Sequence, residues 1–416
     1  MNRICYNYKN YLFPEDWAEY KLSQLLEVVE RPVNMVDDQE YNLITIKRNF
    51  GGIESRGKLT GERILVKSQF EIREGDFIIS KRQIVHGACA IVPKKYEGAT
   101  VSNEYDVMNC NNRLLPSFFK YYVQLPFMRR YFYIASDGVH VEKLRFKTDA
   151  WLRQKIRIPS VMEQQSITSI LTACDKVICL KEQLIAEKKK QKKWLMQNLL
   201  TGKKTLPGFK GEFREIRLGD IGNTYAGLSG KSKGDFGYGK YFIPYINVFE
   251  NTVIDTKKLE FVNISENEKQ NKVLYGDILF TSTSETQGEI GMSSVYLDNI
   301  DNVYLNSFCV GFRMNNFDTL LPEFACYYFR GSYFRSVLNM LAQGATRYNL
   351  SRSSLVNICV KVPAVTEQSA IAEILSTADR EIELHKKQLD ELKEQKKALM
   401  QLLLTGIVRV NTEKVN

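Results

Sequence analysis

The side chains with chemistry to offer in this 416-residue chain gather in short polar stretches, and the stretches come in pairs. Lys47-Arg48-Asn49-Phe50-Gly51-Gly52 is followed by Ser55-Arg56-Gly57-Lys58. Arginine and lysine grip guanine edges or phosphates, asparagine pairs bidentately with adenine, and glycines let a backbone approach closely. A second stretch, Ser80-Lys81-Arg82-Gln83 with His86 beyond it, follows a Gly75-Asp76 turn and a β-branched run. At the matching place in the other half stands Thr281-Ser282-Thr283-Ser284-Glu285-Thr286-Gln287-Gly288. One is basic and the other hydroxyl-rich, which fits two different base sequences being read from one scaffold position. A third pair is Ser136-Asp137-Gly138-Val139-His140 with Lys143, and Gln343-Gly344-Ala345-Thr346-Arg347-Tyr348-Asn349. Lys231 and Lys233 add a flexible basic loop. A solvated surface loop has the same composition as any one of these stretches; their recurrence in pairs is what favours a function.

Signatures of catalysis are missing from the sequence. There is no Gly-x-Gly-x-x-Gly loop for a dinucleotide or methyl donor, and no Asn/Asp-Pro-Pro-aromatic motif of the kind amino-methyltransferases place against a base. Gly230-Lys231-Ser232 resembles the end of a phosphate loop, but the required first glycine is Tyr225. The three histidines, His86, His140 and His385, lie far apart, and the eight cysteines occur singly. Neither a metal site nor a catalytic triad is expected. Asp137 and Glu142 form no convincing acid/base pair. The expectation is a chain without catalysis, without a metal and without a cofactor of its own.

What must position the polar stretches is a duplication. Pro159 to Gly202 returns without a gap as Pro363 to Gly406, 204 positions later, with about half the residues identical. Repeats of this length imply repeated structure. Proline cannot continue a strand ladder but tolerates a helix start. From there Ile167, Leu171, Cys174, Ile178, Ile185, Leu195 and Leu199 fall on a four-three spacing, matched by Ile371, Leu375, Ala378, Ile382, Leu389, Leu392, Leu399 and Leu403. Such a narrow apolar stripe faces another helix. Each helix is expected to span about 39 residues, roughly 58 Å, and to end at Gly202 and Gly406. The two stripes bury themselves most simply against each other, antiparallel. Lys181, Lys188, Lys192, His385 and Lys396 interrupt the seam, which points to register control or splaying. The aromatic clusters Phe118-Phe119, Tyr121-Tyr122 and Tyr131-Phe132-Tyr133 have helical spacing and a counterpart at Phe324 to Phe334, so core packing outweighs base stacking.

Weaker echoes join the regions before each helix. Trp17-Ala18-Glu19-Tyr20-Lys21-Leu22 resembles Phe213-Arg214-Glu215-Ile216-Arg217-Leu218, and Leu115-Pro116 resembles Leu321-Pro322. The boundaries expected are a first mixed domain at 1–158, a helix and linker at 159–207, a second mixed domain at 208–361 and a last helix at 362–416. The hydrophobic share of 44% is that of a globular protein. No apolar run reaches the roughly 18 residues of a membrane span, and Met-Asn-Arg-Ile-Cys is not a signal peptide, so a cytoplasmic place with reduced thiols and no membrane partner is expected. The net charge of +10 favours a polyanionic partner. It is uneven: residues 1–158 carry 25 basic and 19 acidic side chains, whereas residues 208–361 carry 16 of each. A nucleic-acid surface in the second half must therefore be a local patch. Lys188-Lys189-Lys190 and Lys192-Lys193 are candidates for a helix face over phosphates.

The order of these short motifs resembles the specificity subunit of bacterial type I restriction–modification systems along nearly the whole chain. The resemblance rests on Pro159-Glu163-Gln164 and Pro363-Glu367-Gln368, on the exits Leu199 to Gly202 and Leu403 to Gly406, and on the starts at Trp17 and Phe213. It implies an α+β chain: two mixed target-recognition domains separated by two long antiparallel coiled-coil helices, with an internal pseudo-two-fold repeat. Each domain would read one half of a bipartite, asymmetric site on double-stranded DNA, and the helices would set the unread spacer. It implies a non-catalytic subunit that recruits two methyltransferase subunits and, in a full enzyme, restriction subunits. S-adenosylmethionine, ATP and Mg would belong to those partners. A coiled-coil adaptor that binds proteins through two heads, or the DNA-reading subunit of a methylation-only complex, are the alternatives.

Overall fold

The computed structural model describes residues 11, 13–141, 144–342, 344 and 348–411. The chain divides into two compact units, Met1–Lys181 with Gln388–Asn416, and Glu182–Lys387. Each unit holds one mixed α/β region and one part of each long helix.

In the first unit a strand pair opens and closes the α/β region: Ala18–Lys21 runs antiparallel to Lys155–Ile158, with Ala18 opposite Ile158. In the second, Arg214–Arg217 pairs in the same way with Cys359–Val362. The central sheets share one order. The first is Leu26–Val28, Tyr105–Cys110, Phe77–Ser80, Cys89–Ile91; the second is Gly222–Ala226, Cys309–Met314, Ile278–Thr281, Ser293–Val295. The Gly-Asp turns feed the buried third strand of each. Asp76 is buried and takes Arg31 in a fork (2.6 and 3.1 Å), Asn109 (2.6 Å) and the Arg73 backbone N–H (2.8 Å). Asp277 takes Arg313 (2.9 and 2.6 Å), the Tyr225 hydroxyl (2.6 Å) and the Leu274 N–H (2.8 Å). A buried carboxylate must be paired and hydrogen-bonded, and the two units meet that demand with different side chains. The second sheets differ more. Five strands form it in the first unit and three in the second, with a parallel pair in each, Glu40–Ile46 with Thr100–Ser102 and Phe236–Ile243 with Val303–Leu305.

Short helices Pro116–Tyr122 and Pro322–Tyr328 start with proline at a position where no N–H is needed. Their aromatic residues are core: Phe118, Phe119, Tyr121, Tyr122 and Phe132 are buried, as are Phe324, Tyr327, Tyr328 and Phe334, while Tyr133 faces out.

The long helices run Val161–Leu199 and Val365–Leu404. The Glu-Gln motif at their starts has a structural explanation. Gln164 is fully buried; its Oε1 accepts from Leu115 N (2.9 Å) and its Nε2 donates to Arg113 O (2.8 Å) and Pro159 O (3.0 Å). Gln368 does the same with Leu321 N (2.9 Å), Thr319 O (2.8 Å) and Pro363 O (2.9 Å). Buried Glu163 accepts Arg409 at 2.8 and 2.9 Å, and Arg409 also forks onto Asp16 at 2.9 and 2.8 Å. The hydrogen bonds from Arg409 hold Asp16 below the usual carboxylate range. At the far ends Gly202 and Gly406 take φ of 70° and 73°, the left-handed conformation that glycine tolerates. A Cβ on Gly202 would lie 2.9 Å from the Phe213 ring, and one on Gly406 would lie 2.4 Å from Pro14 and 3.1 Å from Trp17. The Leu-Leu-Thr-Gly exits and the domain starts at Trp17 and Phe213 are therefore partners in one packing arrangement, found once in each unit.

The helices pair antiparallel in each unit. In the first, Lys181 donates to Gln388 (2.8 Å) and Lys396 pairs with Asp175; in the second, Lys188 meets Glu381 (2.7 Å) and Lys192 meets Asp379 (2.5 Å). The seam lysines thus set register by reaching acceptors on the opposite helix. The apolar stripe is shared, because Ile167 and Leu171 join the core of the first unit with Leu403 and Leu404, and Ile371 and Leu375 join that of the second with Leu199. The sequence pattern alone pointed to burial against the other helix; the domain cores take the outer turns.

Candidate nucleic-acid interface

The end of the buried Gly-Asp strand is the same three-way junction in both units. Lys81 N donates to Glu104 O (2.9 Å), and Phe146 N donates to Lys81 O (2.9 Å). Ser282 N donates to Phe308 O (2.9 Å), and Leu350 N donates to Ser282 O (2.9 Å). Each junction brings together stretches that are remote in sequence, and only their side chains differ.

In the first unit the neighbouring cations behave differently. Lys81 turns inward, with its Nζ 2.9 Å from Asp106 and donating to Asn103 O (3.0 Å). Asp106 also accepts from the Thr148 hydroxyl. Arg82 points outward and meets Glu104 through Nε (2.7 Å) and Nη2 (3.1 Å). That hydrogen-bonded pair raises the Arg82 pKa and holds Glu104 below its ordinary range. Gln83 is half-buried, and its Oε1 has no partner among the described residues. The first polar stretch packs beside the second: Asn49 N donates to His86 O (2.7 Å) and Phe50 N to Gly87 O (2.9 Å). Asn49 and Phe50 adopt left-handed φ of 56° and 55°, and the Arg129 guanidinium lies 4.6 Å above the Phe50 ring. Arg48 and Asn49 are exposed at the tip, and Lys47 pairs with Glu54 (3.0 Å). Arg56 and Lys58 are exposed on the strand Ile53–Thr60, away from that tip in the chain, with Lys58 3.8 Å from Glu40. Ser136-Asp137 pairs with Arg145-Phe146 at the junction, and His140 is exposed beyond it. Lys143 lies outside the described residues, as does Glu142.

In the second unit Thr283 and Ser284 pair antiparallel with Asn349 and Tyr348. The Tyr245 hydroxyl donates to Thr283 O (2.9 Å), Thr286 N donates to the Ser284 hydroxyl (3.2 Å), and the Thr286 hydroxyl donates to Glu289 (2.6 Å). Gln287 donates to Asn339 O (2.9 Å). Thr283, Glu285, Glu289 and Phe308 line a cleft of about 390 Å³ whose other wall includes Tyr245 and Phe249. Two arginines brace it through carbonyl oxygens. Arg335 donates to Ile290 O (2.6 Å) and Gly288 O (2.8 Å), and Arg330 to Ser293 O (2.5 Å) and Phe249 O (2.7 Å). Burial pulls the Arg330 guanidinium down to about 10. Lys231 does not join this surface; its side chain is only 9% exposed and is tied to Glu268 at 2.5 Å. Lys233 is exposed on the turn Lys233–Asp235. Thr346 and Arg347, with Gln343 and Ala345, lie outside the described residues.

Sequence reasoning did not find Glu104, Asp106, Arg145, Tyr245, Phe249 or Phe308. Glu104 and Phe308 immediately precede the strands that pair with the Gly-Asp strands, so only strand register identifies them as counterparts. Of the five helix lysines, Lys188, Lys190 and Lys192 are ion-paired while Lys189 and Lys193 are exposed. Among the described residues no cluster of three or more histidine, cysteine or acidic side chains is placed to hold a metal. Burial pushes the Cys110 and Cys326 thiols up to about 12, which makes them poor nucleophiles. No described helix is long and apolar enough to cross a membrane.

Residues 14–189 and 210–394 both match the family described as type I restriction modification DNA specificity domain. The chain is similar to the type I restriction enzyme MjaVIII specificity subunit of Methanocaldococcus jannaschii, at 25% identity over 95% of this chain and 94% of that one. The putative MjaX specificity subunit of the same organism is 24% identical over 96% and 95%. Among solved structures, the HsdS subunit from Thermoanaerobacter tengcongensis shares the fold with a TM-score of 0.56 at 19% identity, covering 96% of this chain and 99% of that one. A chain described under the structural basis of complex assembly and conformational transition of the type I R-M system gives a TM-score of 0.64 at 19% identity, over 96% and 100%. With a duplicated scaffold, a repeated junction carrying unlike side chains and two family matches spanning most of its length, the chain belongs to the type I restriction–modification DNA specificity family.

Proposed function

We propose that this DNA-specificity chain acts without catalysis, each unit reading one half of a bipartite, asymmetric site on double-stranded DNA. The observation that carries this reading is the repeated junction: one backbone arrangement presents Arg82 and Glu104 in one unit and Thr283 and Phe308 in the other. Two unlike readers on one scaffold suit an asymmetric sequence, since side chains at base edges carry the sequence information. The long helices set the unread spacer between the half-sites and offer their repeated faces to two methyltransferase subunits. Restriction subunits join in the full enzyme. S-adenosylmethionine, ATP and Mg serve the partners, while this chain supplies the address. Tethering two readers raises the effective concentration for the second half-site. Methylating a base inside a duplex requires extruding it, and a separate reader can hold the flanking duplex meanwhile.

Mapping N6-methyladenine in cells that carry this chain and its methyltransferase partner tests the reading. The expected result is a two-part motif with a fixed gap, lost when this chain is deleted. A continuous motif, or methylation that persists without the chain, would overturn it. Salt-insensitive binding to a protein, with no DNA shift, would instead support an adaptor with two protein-binding heads.

A further inference from the structure

The pair Arg82–Glu104 has a geometry that distinguishes it from an ordinary surface ion pair. A guanidinium offers two forked edges, a side-on edge formed by Nε and one Nη, and an end-on edge formed by the two Nη groups. Glu104 occupies the side-on edge, Oε2 to Nε at 2.7 Å and Oε1 to Nη2 at 3.1 Å. Nη1 has no partner among the described residues, and the Arg82 side chain is 70% exposed. The end-on fork is therefore open, and a bidentate carboxylate fixes its direction.

The surroundings narrow what this fork can take. A phosphate at this fork would meet the Glu104 carboxylate beside the guanidinium, and the pair itself is neutral, so the fork adds little attraction to the DNA backbone. The exposed Arg145, whose charge also acts on Glu104, is a separate cation available to a phosphate. Neutral acceptors spaced for a fork suffer no such penalty. In the major groove that pattern is guanine O6 with N7. The clamp also holds the long side chain in one rotamer before DNA arrives, which lowers the entropy lost on binding. Lys81, next in sequence, is turned inward to Asp106 and does not compete for the base. At the equivalent positions of the second unit stand Thr283 and Phe308, which have no fork.

We infer that Arg82 reads a guanine in the half-site of the first unit through its end-on fork, and that Glu104 is the positioning residue that aims it. The inference rests on the bipartite-reader function proposed above. The closing experiment uses the full-length chain assembled with its methyltransferase partner, with methylated motifs mapped across a genome and binding measured on duplexes that vary one base at a time. Wild type is expected to require a guanine in one half-site. Arg82→Ala and Arg82→Lys are expected to relax that position alone, with discrimination falling about 5- to 150-fold, while the other half-site is unchanged. Arg82→Gln is expected to move the preference toward adenine. Glu104→Ala is expected to relax the same position while binding to unrelated duplex DNA becomes tighter, an outcome a merely structural role would not give. Unchanged thermal melting of the variants checks that each is folded. Uniform weakening on all sequences with a shallower salt dependence would make Arg82 a phosphate contact and overturn the inference, as would an intact two-part motif insensitive to both residues. If wild type produced no two-part motif and bound no duplex, the proposed function itself would fail, and the inference with it.

Discussion

Gln164 and Gln368 each satisfy three backbone groups from inside a core, joining the helix start to the loop before a proline-led helix. Alanine at either place takes the side-chain partner from one part-buried N–H, one part-buried carbonyl and one buried carbonyl. Gln164→Ala is expected to destabilise the first unit, and Gln368→Ala the second, by roughly 2–3 kcal/mol each, read by denaturant unfolding with a probe in each unit. The buried Asp76 makes a sharper case. Asp76→Ala removes the carboxylate that Arg31 forks onto and leaves its charge with only neutral hydrogen-bond acceptors, Asn109 Oδ1 (3.2 Å) and Glu71 O (3.4 Å), and a loss of about 3–5 kcal/mol is expected. An unchanged unfolding midpoint would show that the neutral acceptors Asn109 and Glu71 O suffice for Arg31. Short motifs such as Glu-Gln and Gly-Asp are thus legible at this scale because their demands are local and repeated. The identity of their partners is not legible, since Arg31 comes from the loop after the strand Leu26–Val28 and Arg313 from the strand Cys309–Met314, yet they serve equivalent carboxylates.

At the scale of elements, the helix pair carries a repeated arrangement of aspartate, lysine and tyrosine. Asp175 meets Lys396 and the Tyr121 hydroxyl (2.7 Å), while Asp379 meets Lys192 and the Tyr327 hydroxyl (3.0 Å). Lysine from one helix and tyrosine from the globular region converge on the same carboxylate of the other helix, fixing register and docking together. Burial pushes Asp175 up, but Lys396, Tyr121 and Lys120 outweigh it and leave its pKa lowered. A lowered carboxylate contributes stability above its unfolded value of about 3.9, and that contribution is lost as pH falls through the folded value. Melting temperature is therefore expected to fall more steeply with acidification in wild type than in Asp175→Asn over roughly pH 4.5 to 2.5. A double-mutant cycle between Asp175 and Lys396 is expected to give a coupling of about 1 kcal/mol, the partial exposure of both groups keeping it modest. The interrupted stripe, an ambiguous signal in the sequence, becomes unambiguous once both helices are seen together.

At the scale of the whole molecule, duplication with divergence predicts separable function. Exchanging residues 208–361 for the corresponding region of another family member is expected to change one half of the methylated motif and leave the other intact. A change in both halves, read by methylation mapping, would show that the units do not read independently. Matched seven-residue insertions in both long helices, which preserve the side-chain phase of the stripe, are expected to lengthen the unread gap without altering either half.

The sequence by itself determined the repeat, the helix limits near Pro159 and Gly202 and near Pro363 and Gly406, and the aromatic core, because each depends on local pattern and spacing. It also picked out the polar stretches, since glycine, hydroxyl and basic residues cluster there. Tertiary structure alone decided which of those side chains are available. It turned Lys81 inward onto Asp106, buried Lys231 against Glu268, and set Glu104 beside Arg82 through a strand register that no short-range pattern encodes. An ion pair between residues 22 positions apart depends on where two strand ends meet, and that is fixed by the sheet as a whole.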